Sequence, residues 1–384
     1  MVRGGVGRGA VVLAALSARA LAEKAQAAGL LPFAADGFGD ADLRALARGF
    51  RKLEAGVDTG LDPASFHAAL ESLFAEAEEL AGRPALGLIY GSGVEAAPEA
   101  LLGPFANRLL GNPPELIALL KDPSRFAALL ARLGIPHPAL HEGPAPHPGF
   151  LLKRRGGAGG AHIRRARPGE RPGADAYLQA EARGLPVSAL FLADGRKSRV
   201  LFFSEQFPDP VPEAPFRYGG AIRPAALEAR AAAGMEEAIA ALTRAVGLRG
   251  LNSADFLLEP PERWVLLEIN PRPGATLDLA PAAVLAWHIA ACRGRLPPPP
   301  PPPRGGRGAA VVYAPAPLRI PADFSWPGWT RDRPLPGAEI AAGAPLCTIL
   351  ARSVEADGAA REAVRRLLDA RRRHLLARLG APLG

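Results

Sequence analysis

Apolar runs bounded by turn residues alternate with amphipathic stretches from the first residues onward. Residues 10–16 (AVVLAAL) form an unbroken apolar run of strand length, 18–28 carry a helical pattern closed by Gly29, and LLPFAADGF supplies a second run ending at Asp36. A strand buried on both faces reads as such a run, and strand, helix, strand in this order predicts a parallel sheet. A helical stretch at 64–81 and a strand within ALGLIYGSG, 85–93, extend it. PPELIALLKDPSRFAALLARLGIPHP is helical until Pro136 and Pro138 stop it, and 150–270 alternates short strands and turns with one long helix at about 224–246. Seven prolines at 297–303 followed by RGGRG predict a stiff spacer running into a flexible one. The runs AAVVYAPAPLRI and APLCTILARS follow, then an Arg-rich amphipathic helix at about 359–378. The expected organisation is an α/β unit over 1–105, an α+β unit over 106–293, a Pro/Gly-rich linker over 294–309 and a C-terminal β-rich segment with the helix over 310–384.

The chain has 384 residues, 48% of them hydrophobic, enough for two or three sizeable cores. Its formal charge of +8 invites a nucleic-acid reading, but the cations are dispersed arginines and only 6% of residues are aromatic. No basic stripe with stacking platforms emerges, and nucleic acid is not an expected partner. Cys292 and Cys347 are the only cysteines and have no CxxC spacing, which suggests neither a disulfide framework nor a zinc site and fits a cytoplasmic protein. Arg3, Arg8 and the run that follows imitate a secretory signal, yet ALAEKAQAAG continues naturally as a helix. No run approaches the roughly 20 apolar residues of a membrane span. The glycines of GGVGRG precede the first strand, where a dinucleotide fingerprint needs them after it, and Gly91–Gly93 lacks the spacing of a nucleophile elbow.

Two segments carry candidate chemistry. In WVLLEINPRPGA, residues 264–275, a strand would project Glu268, Asn270 and Arg272 to one side while Leu267 and Ile269 enter a core. If this run pairs as a hairpin with GLNSADFLLE around EPPER, Asp255 comes to lie near Glu268. Two carboxylates and an amide suit a hard divalent cation that shares the phosphates of a substrate, and Arg272 adds a cation for a developing oxyanion. A solvated face of an ordinary hairpin is the alternative, and it requires neither the amide nor the arginine. In FLLKRRGGAGGAHI, Lys153 ends a strand and Gly156, Gly157, Gly159 and Gly160 follow at once. Glycines let backbone N–H groups approach phosphates, and a lysine is notable in a chain with only five. No Walker A pattern is present.

Lys153 with its glycine loop, then YLQAEARG, then D…EINPR, resemble the ATP-grasp enzymes in order and spacing. The resemblance implies an ATP-grasp fold, α/β plus α+β: a pre-ATP-grasp parallel-sheet domain, two α+β subdomains and a small C-terminal β-rich segment like that of the biotin carboxylase and carboxyaminoimidazole synthetase branch. It implies ATP with Mg²⁺ or Mn²⁺, and activation of a carboxylate as an acyl phosphate before an amine attacks. Carried over, Asp255, Glu268 and Asn270 would be metal ligands and Arg272 the catalytic residue beside the transferred phosphoryl group. Lys153 would meet the α and β phosphates under the loop, Gln179, Ala180 and Glu181 would read adenine through the backbone, and Lys121 resembles an earlier nucleotide-contacting lysine. Pro186 stands where many members place a ribose contact. ALSARALAEKA, ADGFGDAD and IYGSGVE look like the tyramine–glutamate ligase-like ATP-grasp proteins of the tetrahydromethanopterin and methanofuran one-carbon pathway, which implies amide formation with glutamate. Ser17, Arg19 and Glu95 at strand ends, with Asp36, Asp40 and Ser92, and Arg217, Gly219 and Gly220 in FRYGGAI, are the expected substrate contacts. The expected partners are small-molecule carboxylates and amines, with a homodimer compatible. A carboxyaminoimidazole synthetase-like enzyme using bicarbonate, and a non-catalytic nucleotide- or nucleic-acid-binding protein, are the competing readings.

Overall fold

A computed structural model describes residues 9–56, 60–157, 159–298, 304–355 and 357–382. The glycines of GGVGRG before Gly9, most of the polyproline run and Ala158 lie outside them. The N-terminal unit contains β1 (Ala10–Ala15), α1 (Arg19–Ala27), β2 (Leu31–Asp36), β3 (Gly49–Lys52), α2 (Pro63–Ala81) and β4 (Leu88–Tyr90). The four strands pair in parallel in the order β3-β2-β1-β4. Strand period 2 explains the all-apolar β1: Val11, Leu13 and Ala15 pack with Leu21, Ala22 and Ala25 of α1, while Ala10, Val12 and Ala14 pack with Phe66, Leu70, Leu73 and Phe74 on the α2 side. Each fully buried Leu or Phe here contributes about 1.5–3 kcal/mol. Asp62 caps α2 by accepting the Ser65 N–H at 2.7 Å.

Helices α3 (Pro114–Lys121) and α4 (Pro123–Arg132) lead into an antiparallel sheet of β5 (Leu140–His141), β6 (Phe150–Arg154), β7 (Ile163–Arg165) and β8 (Ala176–Ala180), ordered β5-β8-β6-β7. The remainder builds one eight-stranded sheet from β9 (Leu185–Asp194), β10 (Ser198–Pro208), β11 (Tyr218–Arg223), β12 (Arg249–Glu259), β13 (Arg263–Asn270), β14 (Gly306–Tyr313), β15 (Thr330–Arg331) and β16 (Pro345–Ser353). Its order is β13-β12-β9-β10-β11-β14-β16-β15. Helices α5 (Ala229–Val246), α6 (Val284–Cys292) and α7 (Asp357–Arg378) complete the chain. No helix among the described residues is long and apolar enough to cross a membrane.

The linker expected to end at 309 ends earlier, because Gly306–Ala309 are already strand and Ala309 pairs with Ala221 of β11. Those glycines serve close packing rather than slack. A Cβ on Gly308 would lie 2.5 Å from the Val364 side chain of α7, and one on Gly220 would lie 2.4 Å from the Ala309 carbonyl. Strands on both sides of the polyproline run therefore share one sheet.

Helix α6 is apolar around its circumference and packs on β12 and β9. Its His288 is 1% exposed and receives the Leu251 N–H on Nδ1 at 2.8 Å, so the proton resides on Nε2, which donates to the Leu110 carbonyl at 2.9 Å. Burial depresses its pKa from 6.5 to about 4, with the Leu110 hydrogen bond opposing. A His depressed in the folded state gives stability that is complete above pH 6.5 and lost as pH falls toward 4. Urea midpoints should decline across that window by an amount worth about 3 kcal/mol, a slope absent from a His288→Gln variant.

Candidate active site

A cavity of about 1130 Å³ is walled by the antiparallel sheet β5–β8, the large sheet and the N-terminal unit. β12 and β13 pair with Asp255 directly opposite Glu268 and Ser253 opposite Asn270. A bulge then shifts the register so that Phe256 opposes Leu266. The expected alternation is corrected there: Leu266 is buried in the core with Ile269, and Leu267 lines the cavity beside Glu268. The extra residue shifts which side chains along the strand face the core.

These groups touch. Asn270 Nδ2 donates to Asp255 Oδ2 at 3.0 Å and to Glu268 Oε1 at 3.3 Å, and Gln206 Nε2 donates to Asp255 Oδ1 at 3.3 Å. Lys121, at the end of α3, donates to Glu268 Oε2 at 3.1 Å and to Asn270 Oδ1 at 2.7 Å. Burial, then the charge of Glu268, holds the Asp255 carboxyl above its ordinary range. Burial would raise Glu268 as well, but Lys121 and Lys153 outweigh it and hold that carboxylate well below. Lys153 on β6 is 9% exposed, faces the cavity, and is itself depressed by burial against the pull of Glu268. Two carboxylates that repel are thus held together by two lysines and an amide.

No group of three or more His, Cys, Asp or Glu side chains among the described residues could cage a metal by itself. Two carboxylates and an amide still suit a hard cation that completes its shell with phosphate oxygens, provided the Asn270 amide turns its oxygen toward them.

The glycine loop after Lys153 is seated tightly. Gly160 has φ +74° and a Cβ there would fall 2.0 Å from the Phe216 carbonyl, and Tyr218 N–H donates to Gly159 O at 2.9 Å. Gly157 faces the His162 ring with room for hydrogen alone, and Gly156 approaches Ala96 of the N-terminal unit. Gln179, Ala180 and Glu181, at the end of β8, line the cavity together with Pro186. The N–H groups of Ala180 and Glu181 donate to the carbonyls of Ala139 and Gly149 at 2.8 Å, which leaves a backbone reading of adenine there to the carbonyls and to Gln179. The Glu181 carboxylate pairs with Arg165 at 2.7 Å.

Arg272 is 8% exposed on the cavity wall. Its Nε donates to Glu95 and its Nη1 to the Pro273 carbonyl at 3.2 Å, and among the described residues Nη2 donates to nothing. A Cβ on Gly274 would lie 2.8 Å from Nη1, so only glycine leaves the guanidinium its place.

Residues 122–276 match the ATP-grasp domain family. The biotin carboxylase domain dimer of Hydrogenobacter thermophilus 2-oxoglutarate carboxylase, described with MgADP, ADP and bicarbonate, aligns at TM-score 0.66 and 14% identity over 91% of this chain and 87% of that one. N5-carboxyaminoimidazole synthetase of Staphylococcus aureus with ADP gives 0.64 and 14% over 95% and 97%. N5-carboxyaminoimidazole ribonucleotide synthetase of Thermotoga maritima gives 0.61 and 12% over 95% and 98%. The chain has the ATP-grasp fold. No curated protein matches by sequence.

Several expected substrate contacts are engaged with other parts of the chain. Glu95 is buried outside the cavity wall, accepts the Gly93 N–H at 3.0 Å on its second oxygen, and orients Arg272. Arg19 is 2% exposed, and all five of its N–H groups are engaged by Asp278, Asp332 and Glu23. Ser17 donates to Asp332 at 3.3 Å. Arg217 turns away from the cavity to pair with Asp209 at 2.6 Å and to stack on Tyr313 at 3.7 Å. Gly219 and Gly220 permit close strand packing rather than ligand approach. Asp36 accepts the N–H groups of Ala18, Phe38 and Gly39, a turn and helix-cap role. Ser17, Arg19, Asp40 and Ser92 all line the cavity. Asp40 has an unbonded, buried Oδ2, and burial with Asp332, Asp36 and Asp42 pushes its pKa up to about 8. Gln206, Thr276, Asp278 and Asp332 line the same cavity without any local sequence pattern to announce them.

Proposed function

We propose that the chain is an ATP-dependent carboxylate–amine ligase working through an acyl phosphate. The observation that carries this reading is the opposed pair Asp255 and Glu268, bridged by Asn270, with Lys121, Lys153 and Arg272 on the walls of one cavity. Lys153 and the seated glycine loop would hold the triphosphate. Asp255, Glu268 and the turned Asn270 amide would hold Mg²⁺ or Mn²⁺, which when bound neutralises phosphate charge. In the first step a carboxylate oxygen attacks the γ phosphorus, ADP leaves with the bridging oxygen, and Arg272 faces the charge on the moving phosphoryl group. In the second step the amine nitrogen attacks the acyl carbon, inorganic phosphate departs with the electron pair of the C–O bond, and the amine loses a proton to give the amide. The two steps need one aligned geometry, which a cavity walled by both sheets and the N-terminal unit would supply.

The finer reading is amide formation with glutamate in the making of a methanofuran-type one-carbon carrier, by a cytoplasmic protein compatible with a homodimer. Its support is the resemblance of the N-terminal segments. A bicarbonate-using, carboxyaminoimidazole synthetase-like reaction is the second reading, favoured by coverage of nearly the full length of two such synthetases. ADP release measured with ATP and magnesium separates them: glutamate with furan or phenolic amines should trigger it, and aminoimidazole ribonucleotide with bicarbonate should not. No ADP formation with any acid and amine pair, together with binding that collapses with salt, would instead favour a non-catalytic binder.

The loop offers a second measurement. Gly160→Ala requires both a left-handed backbone at a residue with a Cβ and displacement of the Phe216 carbonyl. The variant should raise the KM for ATP about tenfold or more in steady-state assays, with a smaller change in turnover.

A further inference from the structure

Arg223 ends β11 and is 4% exposed, yet among the described residues it meets no carboxylate. Its Nε donates to the Leu279 carbonyl at 2.7 Å, and its guanidinium lies 5.1 Å from the centre of the Phe202 ring. Neither Nη atom donates to anything among the described residues, and neither is sealed from solvent. The residue opposite it in the ladder with β14 is another arginine, the exposed Arg307, which also forms no ion pair among the described residues. Directly opposed residues of antiparallel strands project to one face, and like charges placed there repel. Ala221 and Ala309, two residues away on each strand, identify that face, because they pack with α1 and with Leu277, Leu279 and Ala280. Lys24 of α1, 9% exposed, donates to the Ala280 carbonyl at 2.9 Å, so two consecutive carbonyls gather two of the three cations. Burial first and Arg307 second push the Arg223 guanidinium down to about 10, and Arg307 also opposes the charge of Lys24.

The carboxylates that Lys24 feels are already committed: Asp278 accepts twice from Arg19, and Glu23 pairs with Arg331 and Arg19. A buried cation is ordinarily matched by an anion, and here the chain supplies none to Arg223. We infer that Arg223, Arg307 and Lys24 form a second binding site, for a phosphate group, on the face of the large sheet that α1 covers. The open Nη pair of Arg223 offers a fork to two phosphate oxygens, Arg307 offers another from the opposite strand, and Lys24 adds charge. A bound dianion turns the repulsion between the two arginines into a shared attraction. None of the three residues lines the cavity, so the site is separate from the one that would hold the triphosphate, and the inference stands whether or not the ligase reading does. Leu279 and Ala280 follow directly on Leu277 and Asp278, which do line the cavity, so an anion here would steady that wall from outside.

The probe is inorganic phosphate, titrated calorimetrically into the full chain without nucleotide or magnesium, as wild type, Arg307→Gln and Lys153→Met, at ionic strength held constant with sodium chloride. Arg307→Gln should weaken phosphate at least about tenfold, and Lys153→Met should stay within about threefold of wild type. In chloride alone, Arg307→Gln should melt at or above the wild-type temperature, since a like-charge contact is relieved and no protein partner is lost. Ethyl phosphate distinguishes the source of the group. Tighter binding of the ester names a phosphorylated metabolite and tighter binding of the ion names free phosphate, and either carries the inference when Arg307→Gln weakens it. Absence of phosphate binding by wild type at millimolar concentration overturns the inference, as does wild-type affinity in Arg307→Gln. Loss of binding in Lys153→Met with retention in Arg307→Gln assigns the phosphate to the cavity and overturns it too. A melting temperature several degrees lower for Arg307→Gln in chloride would reveal a protein partner for Arg307, with the same consequence.

Discussion

Replacing Arg272 by methionine is expected to lower turnover about a hundredfold or more while leaving the KM for ATP within about threefold. Lys121 and Lys153 stay beside the carboxylate pair in the variant, so the charge that would hold a triphosphate survives. What disappears is the cation where the phosphoryl group moves. The substitution also strands Glu95, which is 8% exposed and whose carboxylate is held below its usual range, against burial, first by Arg272 and then by Lys121. An unpaired buried carboxylate costs about 3–5 kcal/mol, so the single variant should be less stable as well as slow. The double variant Arg272→Met with Glu95→Gln removes both charges together. It should recover most of the urea midpoint and none of the turnover. Turnover restored alongside stability would show that Arg272 only supports the fold, and unchanged turnover in the single variant would refute its catalytic role outright.

The same pair shows how far sequence reasoning reaches. Alternation along WVLLEINPR placed Glu268, Asn270 and Arg272 on one face, and the EPPER turn brought Asp255 opposite Glu268, because a hairpin register follows from local chemistry. The bulge did not follow. Leu266 replaces Leu267 in the core because one extra residue reverses the alternation, and nothing in VLL distinguishes the two leucines. Long-range pairings were equally hidden. Arg19 and Glu95 stand at strand ends of a parallel sheet, where ligands gather, yet their partners lie 259 and 177 residues away. A strand-end position narrows a residue to a cleft and leaves open whether a ligand or another segment meets it there. Glycine posed the same problem. The loop after Lys153 and the RGGRG stretch look alike as sequence, but in the first the glycines seat a cavity wall and in the second they admit a helix and a neighbouring strand.

An Arg19→Met variant should lose about 3–5 kcal/mol of stability, a larger effect than any surface ion pair in the chain can show. Its guanidinium binds Asp278 through Nη1 and Nη2 at 2.5 and 2.7 Å, and Asp332 through Nε and Nη2 at 2.8 and 2.9 Å. Glu23, one helical turn away, accepts from Nη1 at 3.3 Å. Three distant parts of the chain therefore meet on one side chain: the N-terminal helix, the turn that follows the carboxylate strand, and the C-terminal segment. Lysine cannot replace it, since a single ammonium cannot span two carboxylates bidentately, and Arg19→Lys should recover only a minor part of the loss. Deleting the two main anions with the cation, as Arg19→Met with Asp278→Asn and Asp332→Asn, should restore most of the urea midpoint, because the cost lies in stranded charge more than in lost attraction. Arg51 is the comparison: its pair with Glu76 at 3.0 Å leaves both side chains 39% exposed, and Arg51→Met should change stability by less than about 1 kcal/mol. Equal losses at Arg19 and Arg51 would mean that the buried network is no more than surface pairing. Because Asp278 lies six residues beyond Arg272, losing Arg19 should also slow turnover, through a turn no longer held in register with the cavity that Arg19 and Asp278 both line.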